Sequence, residues 1–137
     1  MSILLCFLFL SIALIDGKTV NIPVDPDITS QLVQISADCI ASNGLTEEVL
    51  KQVMEWKLEN NEPTKKLLFC FGTKLNTTDK NGHVILNEAL KLAVSKKRPV
   101  FGDAIKRCND QEGSDKYDTL FKIIICMRDQ ENIFLRF

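Results

Sequence analysis

One histidine, one tyrosine and one tryptophan in 137 residues leave little catalytic material. A hydrolase or transferase needs a nucleophile and a base within reach, or a metal with an open position. His83 has no cysteine beside it, and the chain carries no P-loop, GxGxxG or HExxH motif. No two cysteines stand at CxxC spacing, which disfavours structural zinc, whose ligands come in close pairs. Asp79-Lys80-Asn81-Gly82 opens like a calcium loop, but its glycine comes two places early and the bidentate glutamate is misplaced. The expectation is a protein that is not an enzyme and takes no cofactor and no metal. His83 reads as a polar residue opening a helix; its functional alternative is a pH-sensitive contact, because histidine titrates near neutrality.

Charge of one sign is also lacking. Lysine and arginine total 17 and aspartate and glutamate 18. Such a balance gives no field to steer the chain toward nucleic acid or an anionic membrane. Lys65-Lys66 and Lys96-Lys97-Arg98 are short enough to be solvated helix faces or ends.

Long apolar runs are missing except at the start. Residues 3–15 are almost unbroken apolar sequence, too short for the ~20 residues of a membrane-spanning helix. The run suits the core of a secretory signal, expected at residues 1–17, although no Lys or Arg precedes it and no clean small-x-small cleavage pattern follows. A single secreted domain is expected at 18–137, with a tail at 130–137 and no stable membrane insertion. Cleavage removes Asp16 and no base, so the charge moves from -1 to about 0. Cys6 leaves with the signal, and Cys39, Cys70, Cys108 and Cys126 remain. An even set in a secreted chain implies two disulfides, with three pairings open.

What is present is helical periodicity. Ile28, Leu32, Ile35 and Cys39 recur at spacings of three and four, and Asn43-Gly44 ends that stripe. Thr46 predicts an N-cap, followed by Val49, Leu50, Val53, Met54 and Trp56. A break at Asn60-Asn61-Glu62-Pro63 opens a third helix with Leu67, Leu68, Cys70, Phe71 and Leu75. A fourth runs from 84 or 85 to 94, a fifth over about 99–110 and a sixth over about 115–128. No sustained period-two alternation appears, so no strand is expected. The fold class is all-α, six short helices with two bridges.

The cysteine spacing supports a resemblance. Cys39, Cys70, Cys108 and Cys126 match the first, third, fourth and sixth of six cysteines in the insect odorant-binding family, which includes the pheromone and general odorant-binding proteins. The second would fall at Lys66, with three residues between it and Cys70, and the fifth at Tyr117, with eight between it and Cys126. The two missing cysteines pair with each other in that family, so their joint loss leaves no orphan thiol. The stretch from Lys74 to Gly82 also looks like the family's loop before its fourth helix. The chain thus resembles a four-cysteine, "minus-C" form over essentially all of 18–137. The resemblance implies Cys39–Cys70 and Cys108–Cys126, which is also the pairing that locality makes cheapest, each loop contributing about 3–4 kcal/mol. It further implies an internal apolar cavity and reversible binding of small hydrophobic, odorant- or pheromone-like molecules. Expression in sensillum lymph or another body fluid, a membrane odorant receptor as a further partner, and a monomeric or weakly dimeric state belong to the same expectation. Loss of the bridge between the third and sixth helices implies more breathing there.

Helical periodicity cannot separate core from cavity wall. The expected ligand-binding residues are Met54, Leu67, Phe71, Leu86, Leu90, Phe101, Ile105, Tyr117, Leu120, Phe121, Ile124 and Phe134, with Phe137 in the same apolar tail. Tyr117 is expected to donate one hydrogen bond and the segment 133–137 to fold over the entrance. A cavity costs about 24 cal/mol per Å³, which two bridges could offset. Asn76-Thr77-Thr78 is an N-glycosylation sequon. The rival from another class is a secreted signalling or defence protein acting through its surface; such proteins show fewer, longer helices than this chain.

Overall fold

Helix boundaries fall where caps and breakers stand. In the computed structural model, which describes residues 19–137, α1 (Pro26–Asn43) starts after Asp25, whose carboxylate accepts the Asp27 N–H at 2.9 Å. Gly44 closes it in the left-handed region at φ 61°, as Asn43-Gly44 predicts. Next comes α2 (Glu47–Met54); Thr46 holds its N-cap position without a side-chain capping bond. Asn61 caps α3 (Glu62–Lys74) by accepting the Thr64 N–H at 3.0 Å, and Pro63 sits in the first turn. The fourth helix, α4 (Leu86–Leu90), is shorter than the periodicity suggests. Its continuation is captured by the N-terminal segment: Asp25 N–H donates to Leu92 O at 2.7 Å, and Val94 N–H donates to Pro23 O at 3.2 Å. One 3₁₀ turn (Ser95–Lys97) then leads into α5 (Arg98–Cys108). Asp115 caps α6 (Lys116–Asp129), accepting the Asp118 N–H at 2.8 Å.

The six helices meet the all-α expectation, with one addition. Strand β1 (Val20–Pro23) pairs in parallel with β2 (Ile133–Arg136), in register Val20 to Ile133 through Pro23 to Arg136. Parallel neighbours need a long crossover, and here the whole helical body supplies it. Four residues are too few to show a strand period. The signal segment expected at 1–17, with Cys6, lies outside the described residues.

Cys39–Cys70 ties α1 to α3 and Cys108–Cys126 ties α5 to α6, the pairing that the resemblance implies. Each bridge anchors its own apolar cluster. Cys39 packs with Val53, Leu58, Leu67 and Phe121 between α1, α2, α3 and α6. Cys108 and Cys126 pack with Ile22, Ala89, Phe101, Ile105, Ile123, Met127 and Ile133, joining α4, α5 and α6 to the ladder. Helix α6 serves both clusters, and the seam between them is where space remains. Among the described residues, no helix is long and apolar enough to cross a membrane.

Candidate ligand-binding cavity

The seam between the clusters holds a cavity of about 160 Å³. Its wall draws Val53 and Leu58 from one cluster and Ala89, Phe101, Ile105, Met127 and Ile133 from the other. Val24, Ile28 and Leu32 add the start of the chain, Leu68, Phe71 and Leu75 add α3 and its end, and Leu120 and Ile124 add α6. The hydroxyls on this wall belong to Thr77 and Thr78. Thr77 Oγ1 already donates to Gly72 O at 3.3 Å. Thr78 fits against Gly72 so tightly that a Cβ there would lie 2.1 Å from its Oγ1. A wall of this kind recognises shape and apolar area rather than hydrogen-bonding groups.

Trp56 fixes the tail side of the cavity. It follows α2 with φ 61°, a backbone conformation that costs a non-glycine residue about 1–2 kcal/mol. Several contacts hold it there. Its indole N–H donates to Leu135 O at 3.0 Å, its ring meets Phe134 edge-on at 5.6 Å, and Arg128 donates to its carbonyl at 3.4 Å. An indole whose N–H is satisfied by backbone presents only apolar surface to the cavity.

Of the expected binding residues, the structure places Met54, Phe71, Phe101, Ile105, Leu120 and Ile124 on the cavity wall. Leu67 and Phe121 are instead core of the Cys39 cluster, and Leu86 and Leu90 pack against the other cluster. Phe134 turns to Trp56. Tyr117 corrects the expectation most: its ring lies edge-on against Phe69 at 4.9 Å, outside the wall, so its hydroxyl offers the cavity no hydrogen bond. The segment 133–137, expected over the entrance, is tied to the ladder and to the wall. Ile133 is 2% exposed and hydrogen-bonded within the ladder, while Leu135 and Phe137 complete the wall. Ile28, Leu32, Trp56 and Leu135 are wall residues that sequence reasoning did not assign. The first two were visible as a helix stripe, but nothing in the stripe says which of its members faces a void.

Away from the cavity, His83 Nε2 lies 2.9 Å from Glu112 Oε1. Asp118 is the most perturbed acid. Lys65 Nζ is 2.9 Å from its Oδ1, and the Ser114 N–H donates to Oδ2 at 2.9 Å. These partners, Lys65 first, hold its carboxyl far below the usual carboxylate range against the opposing effect of burial. Among the described residues, no three His, Cys, Asp or Glu side chains gather as metal ligands.

Comparison with known proteins agrees with this architecture. Residues 23–130 match the PBP/GOBP family. An odorant-binding protein of Locusta migratoria superposes with a TM-score of 0.67 at 18% identity, covering 81% of this chain and 88% of that one. Odorant-binding protein 7 of Anopheles gambiae, which has four disulfide bridges and was solved with an azo compound, gives 0.64 at 18% identity, over 74% and 84%. A fatty acid binding protein from the oral disk of the blowfly Phormia regina gives 0.63 at 23% identity, over 80% and 96%. No curated protein matches the chain by sequence. With the family matched across all six helices and the two bridges in the expected places, this chain belongs to the PBP/GOBP family of insect odorant-binding proteins, in a four-cysteine form.

Proposed function

We propose that the protein is a secreted, non-enzymatic carrier that takes up small hydrophobic molecules in the cavity between its two apolar clusters and releases them unchanged. The observation that carries this reading is the wall itself: a void of about 160 Å³ lined almost wholly by apolar side chains, in a fold with two bridges. An empty void of that size costs on the order of 4 kcal/mol, part of which a ligand restores by filling it. A micromolar dissociation constant requires about 8 kcal/mol, within reach of a small apolar ligand that is fully buried. Among the structural relatives, the mosquito protein was solved in complex with an azo compound and the blowfly protein is a fatty acid binding protein.

Trp56 supplies the assay. It is the single tryptophan of the chain and stands on the cavity wall, so its emission reports occupancy directly. The oxidised protein, titrated with volatile hydrophobic compounds, is expected to show saturable change in Trp56 emission and micromolar displacement of an apolar fluorophore. A folded, helical protein that takes up no probe and shows no change at Trp56 overturns the carrier reading in favour of action through the surface.

A further inference from the structure

Asn76-Thr77-Thr78, with the Asn-x-Thr spacing of an N-glycosylation acceptor, follows directly on α3. Asn76 comes one residue after the helix cap Leu75 and takes the left-handed backbone at φ 59°. Its N–H donates to Thr73 O at 3.2 Å, and the Thr77 N–H donates to Gly72 O at 2.8 Å, the paired bonds of a Schellman helix end. Glycine is the usual residue at that position and asparagine the next choice, so conformation alone accounts for Asn76. A helix end of this kind makes no demand for a hydroxyl two residues later, where Thr78 stands.

The fold treats the two ends of this tripeptide differently. Asn76 is exposed, whereas Thr77 and Thr78 are each 7% exposed and line the cavity. Thr78 is held on three counts: its side chain presses on Gly72, its N–H donates to Gly72 O at 3.2 Å, and an antiparallel bridge joins it to Val84. A bulky group on Asn76 therefore meets solvent and displaces no wall residue, because Asn76 is not part of the wall. The Thr78 hydroxyl, by contrast, is out of reach of an enzyme that has to engage it together with the Asn76 amide. The Cys39–Cys70 bridge, six positions before Asn76, and the Gly72–Thr78 contact close this segment as the chain folds.

Resting on the secreted reading, we propose that Asn76 carries an N-linked oligosaccharide, added before α3 and the segment 76–84 close. In the transfer, Asn76 Nδ2 forms a bond to C1 of the first sugar of a lipid-diphosphate-linked oligosaccharide. The C1–O bond to the diphosphate breaks, the lipid diphosphate leaves with that electron pair, and it takes up the proton lost from Nδ2. The glycan stands in water at the C-terminal end of α3, beside the wall residues Leu75 and Thr77 but outside the cavity. Folding sets the window for the modification: once Thr78 is seated on Gly72, the acceptor is shut.

The test begins with the full chain expressed in a eukaryotic secretory host and recovered from the medium. Its mass is expected to fall on digestion with peptide N-glycosidase, with Asn76 converted to aspartate. Asn76→Gly keeps the left-handed φ without strain, so it is expected to fold and bind an apolar fluorophore as wild type does, but to show no mass shift. In a second arm, glycan-free protein in its folded, oxidised form is offered to an oligosaccharyltransferase and its lipid-linked donor, beside the same chain reduced and alkylated. The unfolded chain is expected to gain the oligosaccharide at Asn76 and the folded chain to remain unmodified. Secreted protein without a glycan at Asn76 overturns the site while the secreted reading stands. Equal modification of the folded and unfolded chains overturns the closure by folding. A chain that never enters the secretory pathway overturns the secreted reading, and the site with it.

Discussion

Replacing Asp118 with asparagine tests what holds α3 to α6 where the resemblance implies a missing bridge. Lys65 and Asp118 neighbour Lys66 and Tyr117, the two positions that lack the family's cysteines. Their charged groups meet at 2.9 Å with side chains 17% and 11% exposed. Lys122 Nζ approaches the other carboxylate oxygen at 3.4 Å, and Lys65 also lies 5.4 Å from the Phe121 ring centroid. Removing one partner of a buried pair costs about 3–5 kcal/mol, because the survivor is left uncompensated. Lys65 keeps some access to water, so the cost falls at or below the low end of that range, about 2–3 kcal/mol for Asp118→Asn. For a domain of this size that lowers Tm by roughly 10 °C.

The pH dependence fixes the sign. The folded carboxyl lies below its unfolded value, so the unfolded chain takes up the proton first as pH falls. The stabilisation is therefore complete above about pH 5 and is lost progressively below about pH 4. Urea unfolding at a series of pH values should show wild type and Asp118→Asn converging as acid is added. Lys65→Met alone should also destabilise, whereas the double variant should recover part of the loss, since no unpaired charge remains beside Phe121. Asp118→Asn within about 0.5 kcal/mol of wild type at pH 7, or a gap unchanged at pH 3, would refute the reasoning.

Two further perturbations follow from the same region. Lys66→Cys combined with Tyr117→Cys should form a third bridge closing about 50 residues, worth up to about 4 kcal/mol less the lost Tyr117–Phe69 contact; thiol titration and Tm with and without reductant check it, and thiols that stay free under oxidising conditions refute it. Gly82→Ala should destabilise by about 2–4 kcal/mol in denaturant melts, because φ is 90° and a Cβ would lie 2.1 Å from Lys116 O; unchanged stability would show that the 79–83 turn is free to move away from α6.

The parts of the fold that the sequence announces are those set by local chemistry. Gly44 ends α1, the break before Pro63 opens α3, and Pro99 lies in the first turn of α5, each signal standing within two or three residues of the helix end that it sets. What it conceals depends on residues far apart along the chain. Nothing in Val20–Pro23 names Ile133–Arg136 as its partner, and nothing in Leu92 or Val94 shows that Asp25 and Pro23 will take their hydrogen bonds and cut α4 short. Asn61 could have been read as a cap from its position three residues before Thr64.

The cavity is the harder case, and the reason is physical. Leu67 and Leu68 are adjacent, equally apolar and on the same helix, yet Leu67 is fully buried core while Leu68 lines the void. Phe121 and Leu120 divide in the same way, one to the Cys39 cluster and one to the wall. A stripe records only that a face avoids water, which holds for packed and unpacked neighbours alike. The void lies between two clusters that share α6, each holding its own disulfide. The cysteine spacing marks where each cluster is anchored, whereas the seam between them carries no mark in the sequence.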